Sequence, residues 1–251
     1  MLRVQINYTV DPCHIDAIKT GASRYLPYIQ PAIRMEVCAR ALGFNTWAAL
    51  IVSDMTRRCL NIKEACDFAI TRGIQCNPLD LHFVMAEATT IRIAAIMPEL
   101  HSCGLHSRYF EPAEDDLKLY KDSAPEAALI SKVDPRLSVI RDALQAIIFS
   151  GATADQALRA LAYFSSQTAS DEVGPSAPTS YGVKHSAERL SYDLGDGLIL
   201  KPDYVANADA IVAAIDCGFP IIYNDELAPN ALIGIASSRS DGANLIPSRR
   251  I

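Results

Sequence analysis

The sequence predicts an α+β fold, with a mainly helical N-terminal two thirds and a small α/β region at the C-terminus. Three observations predict it. Apolar residues recur at helical spacing through much of residues 31–166. Glycine and proline stop signals at Gly43, Gly73, Pro98 and Gly151 cut that pattern into short helices. Past a stretch rich in Ser, Thr, Pro and Gly at 167–186, the pattern changes to brief apolar runs separated by Gly and Asp. A chain of 251 residues that is 50% hydrophobic can bury a full core without metals or disulfides.

Taken in order, Leu2 to Val10 alternates apolar and polar residues, a strand signal that Asp11-Pro12 ends. A helix is expected from His14 to Tyr25. Pro31 to Leu42 carries Ile33, Val37, Cys38, Ala41 and Leu42 on one helical face, and Gly43 suits the left-handed position that closes such a helix. Thr46 is placed to cap a second helix, expected to run from Trp47 past Met55. Asn61 and Glu64 form a capping box for a third helix, Ile62 to Thr71. Asn77-Pro78, with Asp80 in the first turn, starts a fourth that reaches about Met97.

Further helices are expected around 114–120, from Pro135 to Phe149, and from Thr153 to about Ser166. The last of these has Thr153 and Gln156 as its capping pair. Gly195-Asp196-Gly197 between two short apolar runs signals a hairpin. Ala206 to Cys217 reads as a helix closed by Gly218, and Phe219–Tyr223 and Ala231–Ile235 as short buried strands. Residues 239–251 read as a tail. The division is then 1–166, a linker or mobile loop at 167–186, and 187–251. An isolated strand over 2–10 would leave backbone groups unpaired, which favours its joining the C-terminal sheet.

Composition narrows function. No apolar run approaches the roughly 20 residues of a membrane span, and the N-terminus lacks a charged-then-apolar leader, so a cytosolic location is expected. The seven cysteines include no Cys-x-x-Cys pair and are read as reduced. Net charge is −6 overall. Residues 1–110 hold 11 Lys+Arg against 9 Asp+Glu, and the remainder 12 against 20, so neither part is the basic surface of a strong nucleic-acid binder.

The most distinctive stretch is Glu36 to Leu50. Ala39 followed by Gly43 has the small-residue spacing of a DNA-reading helix-turn-helix. The second helix, however, is nearly all apolar, leaving Arg40, Asn45, Thr46, Arg57 and Arg58 as the residues able to reach nucleic acid. The pattern Glu36-x-x-Ala39-Arg40-x-Leu42-Gly43-Phe44-x-Thr46-Trp47-x-x-Leu50 resembles a small helical segment of glyoxalase-superfamily-related proteins of bacteria and their mobile elements. The resemblance covers residues 31–55 and carries no catalytic residue. It implies a helical hairpin and a bacterial or mobile-element setting, and no glyoxalase activity, since the metal-binding modules of those enzymes are not recognisable elsewhere in the chain.

Other motifs are sparse. His101, Cys103 and His106 place three potential metal ligands within six residues, and Cys13-His14 is an adjacent pair, but a zinc site needs three or four ligands in tetrahedral array. Acidic Glu111, Glu114, Asp115 and Asp116 suit a helix N-terminus. His185, Ser186 and Glu188 lack a Gly-x-Ser-x-Gly, and no nucleotide-binding glycine loop is present. The sequence therefore favours a non-enzymatic interaction protein with a protein partner and no cofactor. The alternatives are a nucleic-acid-associated protein using 36–58 and a metal-dependent hydrolase using the His101–His106 loop.

Overall fold

The computed structural model describes residues 1–97, 100–101, 104–105, 153–223, 227 and 229–236. The fold is α+β, with helices dominating the N-terminal region and strands gathering toward the C-terminal third. Its elements are β1 (Leu2–Arg3), β2 (Asn7–Val10), α1 (Pro12–Tyr25), α2 (Pro31–Ala41), α3 (Trp47–Ile51), β3 (Thr56–Cys59), α4 (Ile62–Thr71) and α5 (Pro78–Ile96). After β4 (Leu100–His101) and β5 (Gly104–Leu105) come α6 (Thr153–Ser165), α7 (Ser180–Glu188), β6 (Tyr192–Asp193), β7 (Ile199–Leu200), α8 (Asn207–Asp216), β8 (Ile221–Ile222) and β9 (Leu232–Ile233).

Helix starts follow the local chemistry. The side chains of Asp11, Thr46, Asn61, Asn77 and Thr179 each accept a hydrogen bond from a backbone N–H in the first turn of the helix they precede, satisfying donors that have no partner within the helix. Helix α5 is central. Nearly every residue from Leu81 to Thr90 is buried, and the helix packs against α1, α6 and α8, as expected of a helix apolar around its whole girth. Gly21 lets α1 approach it, because a Cβ there would lie 2.8 Å from the Val84 carbonyl oxygen. One hydrophobic core extends from Val4 to Ile233, and a smaller one joins Ile93, Leu100 and Leu105 to α8.

The strand expected over 2–10 divides in two. β1 pairs parallel with β6, which pairs antiparallel with β7, whereas β2 pairs antiparallel with β3, Tyr8 facing Arg58. The first half thus joins a C-terminal sheet and the second half does not. The helix expected from Trp47 past Met55 stops at Ile51, and Thr56–Cys59 is extended. Pairing with β2 supplies that segment with backbone partners, and tertiary pairing overrides the local helical pattern.

Part of the expected loop at 167–186 is helix α7, where Thr179 is the cap and Val183 and Ala187 face the core. Upstream of it, Ser170 N–H donates to Gly234 O, and Ile233 N–H donates to Pro178 O, so the segment lies along β9. The Thr153 side chain of the expected capping pair lies outside the described residues, but Gln156 reaches a distant element. Its amide oxygen accepts from the Ala206 N–H at 3.0 Å, at the start of α8, where alanine has no capping side chain of its own. The hairpin at 195–197 and the helix closed by Gly218 form as expected. β8 pairs with β9, but Ile222 is half exposed. The helices expected at 114–120 and 135–149 and the tail at 239–251 lie outside the described residues. Among the described residues no helix is long and apolar enough to cross a membrane.

Candidate functional site

Two regions carry side chains that the fold does not consume, and the first is the surface the sequence singled out. Helix α2 ends at Gly43 (φ 77°), a conformation open to glycine at little cost. The Glu36 carboxylate then accepts from the Trp47 N–H at 3.2 Å, fixing α3 against α2. Past α3 the chain exposes Ile51, Val52 (83%) and Met55 (73%) in succession.

The arginines expected at this site are placed beside it but are partly engaged. Arg40 lies over the Phe68 ring at 4.4 Å and pairs with Glu64 at 3.5 Å. Arg58 lies over Phe44 at 4.4 Å and reaches across Gly43. Arg57 is exposed and donates to the Asn7 carbonyl at 3.1 Å. Asn45 is exposed, and Thr46 is spent as the cap of α3. Arg57 and Arg58 therefore stand on a strand rather than on a helix, and α3 has only five residues to offer a groove. Arg72, which the sequence did not single out, lies over the same Phe68 ring at 5.2 Å.

The second region is a polar cleft of ≈ 490 Å³. Its walls are the Arg3–Ile6 segment that leads from β1 to β2, the Cys59–Ile62 link into α4, the Leu194–Asp196 turn and His82 of α5. In that segment Val4 and Ile6 are buried, and Arg3 and Gln5 are exposed. His82 is buried, with Nδ1 2.9 Å from the Tyr8 hydroxyl, and burial lowers its pKa to about 4. Burial, with the charges of Asp216 and Cys217 nearby, pushes the Tyr8 hydroxyl well above its usual value.

A second cleft of ≈ 390 Å³ shares Gln5 and is lined by Arg57, Ser165 and Cys217 among others. Burial pushes the Cys217 thiol up to about 11, which leaves it a poor nucleophile at neutral pH.

Behind these clefts Arg92 pairs with Asp216 and, at 3.5 Å, with Asp11, tying α5 to α8 and to the cap of α1. His14 is fully buried with neither ring nitrogen hydrogen-bonded, and burial together with Arg92 lowers its pKa to about 3. Of the proposed metal ligands, His101 belongs to β4, while Cys103 and His106 lie outside the described residues. Among the described residues no three His, Cys, Asp or Glu side chains gather as a metal site. His185 binds Glu188 at 2.6 Å, but Ser186 donates to the Gly182 carbonyl, so no Ser–His pair forms.

Sequence reasoning did not single out Arg3, Gln5 or His82 and read Asp196 only as part of a hairpin turn; the four come from three separate places in the chain. The available signals were a histidine within an apolar helix and the alternation at residues 3–6. Comparison with protein-family models, with curated proteins and with solved structures finds no match.

Proposed function

We propose that the chain is a non-enzymatic interaction protein, acting in the cytoplasm of a bacterial or mobile-element assembly, whose α3 face docks an acidic, amphipathic segment of a protein partner. The observation that carries this reading is the run of exposed apolar side chains Ile51, Val52 and Met55 leading directly into Arg57 and Arg58. Scattered surface hydrophobics need no explanation, but a grouped set rimmed by polar residues suits an interface. Covering them gains about 25 cal/mol per Å² of apolar area, and the arginines favour a partner of negative charge. The bacterial or mobile-element setting rests on the resemblance of residues 31–55.

A second reading has one observation in its favour. Guanidinium groups layered on Phe44 and Phe68 form a basic, aromatic surface, which nucleic acid also recognises.

One binding experiment separates the two. A fluorescent helical peptide of alternating Glu and Leu faces, and a short DNA duplex, are titrated with the full chain at low and high salt. The protein-partner reading expects saturable peptide binding that weakens at least about tenfold (about 1.4 kcal/mol) in the double variant Val52→Glu, Met55→Glu. Absence of peptide binding, or equal binding by the variant, overturns it. Salt-dependent duplex binding that disappears in Arg57→Glu, Arg58→Glu favours nucleic acid instead.

A further inference from the structure

We propose that the cleft between the Arg3–Ile6 segment, the hairpin turn at Asp196 and His82 binds a small carboxylic acid that carries an ammonium or hydroxyl group on its other side. The geometry is independent of the α3 surface. Among the described residues, Arg3 and Asp196 make no ion pair, Gln5 makes no side-chain hydrogen bond, and His82 Nε2 has no partner, yet all four residues line the same cleft. Arg3, Gln5 and Asp196 are exposed and hydrated around the buried His82, and waters bridging such groups are replaceable by a ligand that reproduces their hydrogen bonds.

The buried end of the cleft has a defined polarity. Tyr8 is fully buried, and its hydroxyl has His82 Nδ1 as its partner, 2.9 Å away. Among the described residues no other acceptor serves that hydroxyl, which assigns it as the donor to Nδ1, and a neutral imidazole that accepts at Nδ1 carries its hydrogen on Nε2. His82 is 6% exposed and remains neutral at physiological pH because burial disfavours its cation. His82, one of the residues lining the cleft, therefore carries a fixed N–H at Nε2, with the Arg3 guanidinium and the Gln5 amide as further donors on the segment from β1 to β2. This is a set of groups suited to carboxylate oxygens.

Asp196 supplies the opposite character. It stands at the tip of the β6–β7 turn with φ 51°, held in that unusual conformation between Gly195 and Gly197. Its carboxylate repels a dianion such as phosphate and accepts from an ammonium or hydroxyl group. One cation and one anion leave the cleft without net charge, which fits an α-amino or α-hydroxy acid better than a polyanion.

The test uses the full chain labelled with ¹⁵N-histidine. Long-range proton–nitrogen spectra are expected to show His82 as the Nε2–H tautomer. Titration with glycine, serine, aspartate, lactate and malate at millimolar concentration is expected to shift the His82 Nε2 signal saturably for at least one of them. The methyl esters are expected to have no effect. Arg3→Gln, a change at an exposed position, is expected to weaken binding at least about tenfold, the loss of a charge-assisted contact, while leaving the thermal midpoint unchanged. An Nδ1–H tautomer, the absence of any saturable shift across the panel, or equal binding of acids and esters overturns the proposal.

Discussion

His14 occupies the first turn of α1 with both ring nitrogens buried and unbonded, a costly placement for a polar side chain. Its pKa falls from 6.5 to about 3, so the folded state holds it neutral across a range in which the unfolded chain protonates it. The stability this contributes is present above pH 6.5 and is lost as pH falls toward 3. His82 acts with the same sign between 6.5 and about 4. Asp209, fully buried and with its pKa pushed up by burial, acts with the opposite sign, since the folded state keeps its proton at higher pH. Replacing His14 with Leu is therefore expected to reduce the slope of stability against pH between 4 and 6 by up to about 1.4 kcal/mol per pH unit. Urea denaturation at several pH values checks it, and an unchanged slope would mean that His14 reaches water. None of this was legible in the sequence, where His14 was the start of an expected helix and one of an adjacent Cys-His pair.

At the scale of elements, starts were easier to read than ends. Thr46, Asn61 and Asn77 announce their helices because a cap is a contact between neighbours in sequence. Where α3 ends was hidden, because Thr56–Cys59 becomes a strand by pairing with residues 7–10, some fifty positions away. The contact of Gln156 with Ala206 was hidden for the same reason, since the two lie fifty positions apart. Packing between elements gives a direct prediction at Gly21. A Cβ at this position meets the Val84 carbonyl oxygen at 2.8 Å, so Gly21→Ala forces α1 away from α5. Overpacking of this kind costs about 1–3 kcal/mol, and urea denaturation is expected to show a loss in that range despite alanine's higher helix propensity.

For the molecule as a whole, Arg92 is the tie between distant parts. It joins α5 to Asp216 at the end of α8 and to Asp11 ahead of α1. Asp216 has no side-chain exposure, so Arg92→Met leaves a buried carboxylate without its counter-charge. A stability loss of about 3–5 kcal/mol is expected, with Asp216→Asn in the same chain recovering part of it, as measured by chemical denaturation of both variants. The sequence by itself determined the fold class, the starts of α3, α4 and α5, the Gly43 and Gly218 stops and the hairpin at 195–197. Each depends on contacts within a few residues or on a periodic apolar face. Only the tertiary structure decided that residues 2–10 serve two different sheets, that part of 167–186 is a helix laid along β9, and that Arg3, Gln5, His82 and Asp196 share one cleft. Those outcomes depend on which backbone groups and charges meet after the chain has closed around α5, and no local pattern encodes such meetings.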